Sequence, residues 1–469
     1  MHRGARIRCP ISLSRERMRV LMFGWEFPPA QAGGLATATL GLVKGLLRSD
    51  VAVTLVVPFP MDAPTVPGLR LLSTAGEFRR TRGGGASLWS ATDDQLRVWR
   101  IPAPLHPYGG ARRDEMASQY RPSRAMAVGV EPPATDVIPA LNRPVDVYGP
   151  NLMADVERFA EVAAVIAQEE PHDIIDTHDW ITFAAGMSAA AASGRPLVAH
   201  VHATEMDRSG AWINEAIAVR ERDGMHAAAR VISTSRVLAR RVTQVYGVSP
   251  DLIDIVPLGI DHREEPWTAS RAPNPFGSAP VVLFLGRVTH QKGPERFIEL
   301  ARRVADFVPR AHFVVAGSGD LLPHVIERTV ELGLAERVHF TGALHGADVR
   351  HAFGIADVCV MPSVSEPFGL VALESLRAGT PCVVPRDSGV AEVLRNAFKV
   401  DSWDVEEMTD KIVATLRYPE LLAEMRDRAT AELQEEHFGL ELPARRTRAV
   451  YERVLRESAS ESPYGARIN

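Results

Sequence analysis

Glu366 and Glu374 bracket the heptapeptide P-F-G-L-V-A-L inside the run SVSEPFGLVALESLRAGTPCVVP, which reads as a loop, a helix and the start of a strand. The helix is expected to begin close to Phe368 and Gly369. Small residues there let a ligand approach the unsatisfied backbone N–H groups of a first turn, which favour anions through hydrogen bonding and the helix dipole. Eight residues at a rise of ~1.5 Å would separate the two glutamate backbones by about 12 Å in a continuous helix, a spread that suits the two ends of a long ligand. Carboxylates that cooperate on one glycosidic bond stand roughly 5–9.5 Å apart, so the pair is a poor match to a glycosidase. A second cluster lies in FLGRVTHQKG, where Arg287 and Lys292 follow an apolar run. Cations fixed beside a leaving group that gathers negative charge stabilise the transition state more than the ground state. Nearer the start, Gly33 and Gly34 would allow a ligand close to the backbone, as they would an ordinary tight turn. His200 and His202 alternate along one strand, where a histidine is more often part of the core than of a site.

The elements that carry these residues follow a regular alternation. Arg19–Gly24 reads as a buried strand, followed by the Pro/Gly loop WEFPPAQAGGL, a helix near Ala36–Leu47 and a strand at Val51–Val57. Residues 58–150 are rich in Pro, Gly and Arg and give only weak signals. Alternation resumes with a helix near Leu152–Gln168, strand Ile174–Thr177, a helix after Trp180, strand Leu197–His202, a helix near Ala211–Ala229, strand Val231–Thr234, a helix near Ser235–Tyr246 and strand Ile253–Val256. After a proline-rich stretch a second series runs from strand Val281–Leu285 to strand Pro381–Pro385. Such alternation predicts parallel, doubly wound sheets. The fold class is therefore α/β, with two Rossmann-like domains whose carboxyl-end crevices would face one another across a cleft. The predicted boundaries are an extension at 1–17, a first domain at 18–258, a linker at 259–279, a second domain at 280–440 and a C-terminal helix and tail at 441–469.

Composition limits the possibilities. A chain of 469 residues exceeds one ordinary core, and 46% hydrophobic with 24% charged content is typical of globular protein. A formal net charge of -5 offers no broad attraction to nucleic acid. Cys9, Cys359 and Cys382 are odd in number and lack C-x-x-C spacing, which argues against a disulfide framework and a thiolate metal site, and suits the cytoplasm. The first residues carry arginines but no apolar h-region, and no run is apolar for 18 residues, so neither a secretion signal nor a transmembrane segment is expected.

The segment E-P-F-G-L-V-A-L-E resembles the E-x7-E motif of retaining GT-B glycosyltransferases. That resemblance implies that Glu366 contacts the transferred sugar, that Glu374 contacts the nucleotide ribose, and that the amides of Phe368, Gly369 and Leu370 meet the sugar and phosphates. G-R-x-x-x-x-K-G is similar to the diphosphate-binding segment of the same family, which implies that role for Arg287 and Lys292. F-G-W-E-F-P-P-x-x-x-G-G-L, T-H-D-W (Thr177–Trp180) and V-H-A-T-E-x-D-R (Val201–Arg208) resemble glycogen synthase-like enzymes and their family 4 relatives. By that resemblance Gly33 and Gly34 line the donor site, His202 lies at the reaction centre, and His178 and Asp179 shape the acceptor side. Gln31 stands where starch-synthase relatives carry a lysine, which weighs against ADP-glucose use of their kind, and Pro257-Leu258-Gly259-Ile260-Asp261 replaces their P-N-G-x-D.

The resemblance implies transfer of a hexose, glucose first, from a UDP- or ADP-sugar donor to an acceptor such as an α-glucan, a lipid or a small molecule. It implies no cofactor and no metal, and the chain contains no D-x-D motif, the usual holder of the ion in metal-dependent sugar transferases. A dinucleotide oxidoreductase needs G-x-G-x-x-G after its first strand, which FGWEFPPAQAGG does not supply; Gly317-Ser318-Gly319 is only a fragment of it. A sugar-nucleotide epimerase of the same architecture and a catalytically silent sugar-binding protein are the remaining alternatives. The first would turn over donor without acceptor, and the second would lack the charge set present here.

Overall fold

Short β-branched runs bounded by glycine and proline form two all-parallel sheets in a computed structural model that describes residues 17–28, 33–58, 66–74, 96–99, 152–261, 273–435 and 438–461. The first sheet holds β1 (Met18–Phe23), β2 (Val51–Val57), β3 (Arg70–Thr74), β4 (Leu96–Trp99), β5 (Ile174–His178), β6 (Leu197–Val201), β7 (Arg230–Ser233) and β8 (Ile253–Ile255). Their order is β4-β3-β2-β1-β5-β6-β7-β8. The second sheet holds β9 (Val281–Leu285), β10 (His312–Ala316), β11 (Val338–Gly342), β12 (Val358–Val360), β13 (Cys382–Pro385) and β14 (Phe398–Val400), ordered β11-β10-β9-β12-β13-β14. Strand order reverses between β1 and β5 in one sheet and between β9 and β12 in the other. Ligands of such sheets bind at these switch points, beyond the carboxyl ends of the strands. The loops after β1, β9 and β12 carry Gly33, Arg287, Lys292 and Glu366, and His202 follows β6, beside β5.

The chain departs from the predicted elements in two places. Instead of one helix near Ala211–Ala229 it forms Glu205–Ser209 and Glu215–Ala227, separated by Gly210 at φ 58° and restarted by Asn214, whose side chain caps Ala216 N at 3.1 Å. The weakly patterned stretch 58–150 contributes β3 and β4 at the edge of the first sheet. Residues 59–65, 75–95 and 100–150 of it, the predicted extension up to residue 16, Gln31, linker residues 262–272 and the tail from 462 lie outside the described residues. Cys359 and Cys382 are buried, unbridged partners on adjacent strands, and Cys9 lies in the undescribed extension.

The C-terminal helix Glu441–Glu461 returns to the first domain, where Ala444, Val450, Tyr451 and Val454 share one apolar cluster with Val20–Phe23 of β1. Among the described residues two chain segments, at Ile260 and Gly439, run between the domains, and they are tied side by side. Ile260 N donates to Phe438 O at 2.8 Å, and Ile260 pairs with Gly439 in an isolated bridge. Asp261 is held by Arg48 at 2.9 and 2.8 Å, in the two-pronged geometry that favours arginine. Asp261 closes the P-L-G-I-D segment, so its carboxylate anchors this crossing to the Gly34–Arg48 helix.

That helix meets the C-terminal one at Gly45, where a Cβ would lie 2.6 Å from Leu440 O and 2.8 Å from Ala444 Cβ. Backbone on one side leaves little room to give. Gly45→Leu should therefore destabilise the first domain by about 2 kcal/mol or more through overpacking, read as a lower melting temperature with earlier proteolysis of the C-terminal helix. An unchanged melting temperature would show that the two helices do not pack this closely.

Candidate functional site

The second-domain half of the site is built from two loops pressed together. After β9 the chain makes a 3-10 turn, His290–Lys292, and ends it at Gly293 in the left-handed region (φ 65°). A Cβ on Gly293 would stand 2.1 Å from Pro362 O, so only glycine permits this approach to the loop after β12. Gln291 O accepts from Val364 N at 2.8 Å, and the contact carries Lys292 Nζ to 2.7 Å from Glu366 Oε2. Ser363 Oγ donates to the same oxygen at 3.0 Å. The carboxylate expected at the sugar and one of the two cations expected at the phosphates therefore form one buried-edge ion pair. Arg287 sits in the same loop, with Nη2 3.5 Å from Gln291 Oε1. Gly317-Ser318-Gly319 braces that loop, since Val288 N donates to Ser318 O at 2.9 Å and Gly286 N to Ala316 O at 3.0 Å.

Glycine at position 369 is left-handed (φ 112°) and caps the helix Leu370–Arg377. That helix starts at Leu370, after a loop, so the 12 Å spacing of a continuous helix does not apply to Glu366 and Glu374. The Phe368 side chain is buried in the core, which leaves its backbone alone to meet a ligand. Burial pushes the Glu374 carboxyl up to about 7, against the pull of Arg377 in the other direction. A segment that the sequence reading missed supports the loop from below: Gly389 N donates to Glu366 O at 3.1 Å and Val390 N to Phe368 O at 2.7 Å. The signal was present in the small residues of D-S-G-V-A, next to strand β13.

In the first domain, Glu26 is buried and its carboxylate accepts from Gly33 N at 3.1 Å, fixing the loop that leads into the first helix. A Cβ at Gly33 or Gly34 would meet no protein atom within 4 Å. His202 follows β6, and its position is set by Asp179, a non-glycine residue at φ 62°, ψ 168°. Backbone there costs of order 1–3 kcal/mol and persists only where contacts over-determine it. Asp179 Oδ1 accepts from His202 N at 2.7 Å and Ala203 N at 3.3 Å, and Oδ2 from Arg208 at 3.3 Å. Arg208 also pairs with Glu221 at 3.0 Å. Asp179 is thus a loop anchor.

His178, His200 and His202 stack, with ring centroids 4.8 and 5.2 Å from His178 to the other two. Burial lowers His200 to about 3 and His202 to about 4, with Asp176 and Asp179 respectively opposing it, so both rings are neutral at pH 7. One ring nitrogen from each of the three lies within 4.8 Å of the others, a grouping that could converge on a metal ion. His178 Nδ1 and His202 Nε2, however, are 2.9 Å apart. Two ligands of a tetrahedral ion with bonds of ~2.0–2.1 Å would stand roughly 3.3–3.4 Å apart, so this pair is spaced for a hydrogen bond.

The halves meet across the cleft at the Glu366 loop. Ser235 Oγ donates to Pro367 O at 2.6 Å, Arg241 to Ser365 Oγ at 3.0 Å, and Ser365 Oγ to Asp207 Oδ1 at 2.6 Å. Glu392 of the second domain accepts from Arg236 N and Val237 N at 2.9 and 2.7 Å, capping a first-domain helix. Arg287, Lys292, Glu366 and the Phe368–Leu370 turn are gathered on the second domain, and Gly33, Gly34 and His202 on the first. The interdomain cavity of ≈ 350 Å³ lined by Arg236, Arg240, Arg386 and Glu392 contains none of them. Among the described residues no helix is long and apolar enough to cross a membrane.

Residues 267–432 match the family described as Glycosyl transferases group 1, and residues 119–264 match Glycosyltransferase Family 4. The chain is 25% identical over 399 residues to the glycogen synthase of Mycobacterium tuberculosis, covering 81% of this chain and 80% of that one. Its fold is similar to that of sucrose-phosphate synthase from Thermosynechococcus elongatus, with a TM-score of 0.66, 18% identity, and coverage of 94% of this chain and 100% of that one. It is also similar to Anabaena HepE in complex with UDP and glucose, with a TM-score of 0.61, 15% identity, and coverage of 93% and 100%.

The neutral histidines make stability depend on pH with a definite sign. Their folded values lie below 6.5, so the unfolded chain binds more protons between about pH 4 and pH 6.5, and stability falls as pH is lowered through that window. His200→Asn should flatten the fall in melting temperature from pH 6.5 to pH 4 relative to the unaltered protein. Parallel curves for the two proteins would mean that His200 is not held neutral.

Proposed function

Matched along both domains by glycosyltransferase families, the chain belongs to the GT-B glycosyltransferases, and we propose that it is a retaining hexosyltransferase that moves glucose from a UDP- or ADP-sugar to a hydroxyl acceptor. The observation that carries this reading is the Lys292–Glu366 pair at the second switch point, beside Arg287 and the turn at Gly369. The pair presents a carboxylate to sugar hydroxyls and a cation to the adjoining phosphates. Arg287, Lys292 and the helix N-terminus supply fixed positive potential where a nucleotide diphosphate departs. The departing phosphate helps to deprotonate the acceptor hydroxyl on the same face, His202 and the backbone around it stabilise the oxocarbenium-like sugar, and Glu366 orients the ring. Similarity to HepE with UDP and glucose bound supports a nucleotide-sugar donor, and similarity to a glycogen synthase supports an α-glucan acceptor. Fold alone leaves the acceptor open, and the same scaffold serves lipids and small molecules. A donor screen followed by an acceptor screen tests the reading; donor altered without any acceptor would favour an epimerase.

The two glutamates should fail differently. Glu366→Ala should lower turnover far more than affinity for free UDP or ADP, and Glu374→Ala should raise the donor Michaelis constant through lost ribose contacts. With burial pushing the Glu374 carboxyl up to about 7, nucleotide affinity should rise from pH 6 to pH 8 as its carboxylate ionises, and Glu374→Gln should remove that rise. Identical effects of both alanine variants on nucleotide affinity would reverse the assignment of the donor's two ends.

With this cationic set in place, catalysis should need no divalent metal. EDTA should leave the rate nearly unchanged, whereas Arg287→Ala or Lys292→Ala should lower it by on the order of a hundredfold, as removal of one preorganised donor does. A rate abolished by EDTA and restored by Mg²⁺ or Mn²⁺ would refute charge stabilisation by these groups alone.

A further inference from the structure

We infer that Asp176, acting through His178, fixes the proton position on His202, so that His202 meets a hydroxyl of the transferred sugar as a hydrogen-bond acceptor at Nδ1. This rests on the reading that His202 lies beside that sugar. Asp176 and His178 alternate along β5, and His200 and His202 along and just beyond β6, with His178 and His200 in register, so all four project from one face of the sheet. Asp176 is wholly buried, and burial favours its neutral form; yet His200, His178 and the Tyr451 hydroxyl together hold its carboxyl below the ordinary range. Tyr451, from the C-terminal helix, donates to Asp176 Oδ2.

The protons can be followed from there. An ionised carboxylate only accepts. His178 Nε2 and His200 Nε2 face Asp176 Oδ2 at 3.6 and 3.4 Å. A ring lone pair turned toward an anionic oxygen at that range in a water-poor interior is repelled, so each Nε2 carries the hydrogen. Burying a further charge among stacked imidazoles is unfavourable, which leaves His178 a single N–H and makes its Nδ1 an acceptor. His202 Nε2, 2.9 Å away, must then donate to it. His202 has spent its one hydrogen, and its Nδ1 is bare. That atom is buried and has no hydrogen-bond partner in the protein. The opposite tautomer would present N–H at Nδ1, which a hydroxyl hydrogen cannot use. Asp176, His178 and Tyr451 are positioning residues in this scheme.

The test uses the full chain labelled with ¹⁵N-histidine. Long-range ¹H–¹⁵N correlation should show His202 protonated at Nε2 and bare at Nδ1. In Asp176→Asn the amide turns to suit its surroundings, His178 loses its enforced tautomer, and His202 should lose its uniform Nε2–H state. The kcat should fall about tenfold or more while affinity for free UDP is unchanged. Across a panel of monodeoxy donors, one should cost the unaltered enzyme about tenfold in kcat/KM, the worth of one good hydrogen bond, and cost Asp176→Asn little more. His178→Asn, which keeps an acceptor near Nδ1, should retain the tautomer and most of the rate, and His178→Phe should retain neither. This pair decides the matter if Asp176→Asn does not fold. A His202 protonated at Nδ1, or at both nitrogens, would overturn the inference, as would equal losses in the two His178 variants. If no donor is turned over, the proposed function fails, and the imidazole spectra still decide the tautomer.

Discussion

A single backbone contact, Gly293 against Pro362 O, is what makes one site out of two loops. It lets the turn after β9 and the loop after β12 touch, and the Lys292–Glu366 pair follows from it. The pairing has chemical sense, because a lysine that also neutralises a carboxylate is fixed in place, and a fixed charge needs no reorganisation when negative charge develops beside it. Around this contact the protein spends few side chains. Gly317-Ser318-Gly319 and Gly389-Val390 support the two loops almost wholly through backbone hydrogen bonds.

The first domain solves a different problem, which is to hold neutral groups still. Asp179 occupies a backbone conformation that non-glycine residues avoid, and its carboxylate draws in His202 N, Ala203 N and Arg208 to offset that strain. Beneath it lie the buried His178, His200 and Asp176, with the half-buried His202 beside them. Burial keeps His200 and His202 uncharged. The second domain therefore brings cations and a carboxylate to the cleft, and the first brings a neutral ring and glycine-lined backbone.

The two domains meet at the residues next to Glu366. Ser365 and Pro367 are gripped by Asp207, Arg241 and Ser235 of the first domain. At the crossing, the Ile260–Gly439 bridge ties the two segments to each other, and Asp261 ties them to Arg48 of the first-domain helix Gly34–Arg48. The C-terminal helix extends this link, since it crosses from the second domain and delivers Tyr451 to Asp176.

Much of this was legible in the sequence because local chemistry writes it there. Alternating apolar runs gave both parallel sheets, since a strand buried on both faces must be apolar throughout, and E-P-F-G-L-V-A-L-E and G-R-x-x-x-x-K-G gave the charged residues of the second domain. Residues 58–150 stayed illegible, since a stretch rich in Pro, Gly and Arg has no periodicity to read. Long-range proximity was also out of reach. Nothing near Asp176 in the chain indicates a tyrosine 275 residues away, and nothing in F-L-G-R announces that Lys292 will pair with a glutamate 74 residues on. The helix start expected near Phe368 and Gly369 is found at Leu370, and the left-handed Gly369 that caps it keeps Glu366 in the loop and Glu374 in the helix, so the spacing of a continuous helix does not measure their separation. The types of group present were determined by the sequence alone; which of them touch and which are neutral were decided by the tertiary structure, because burial and distance set those properties.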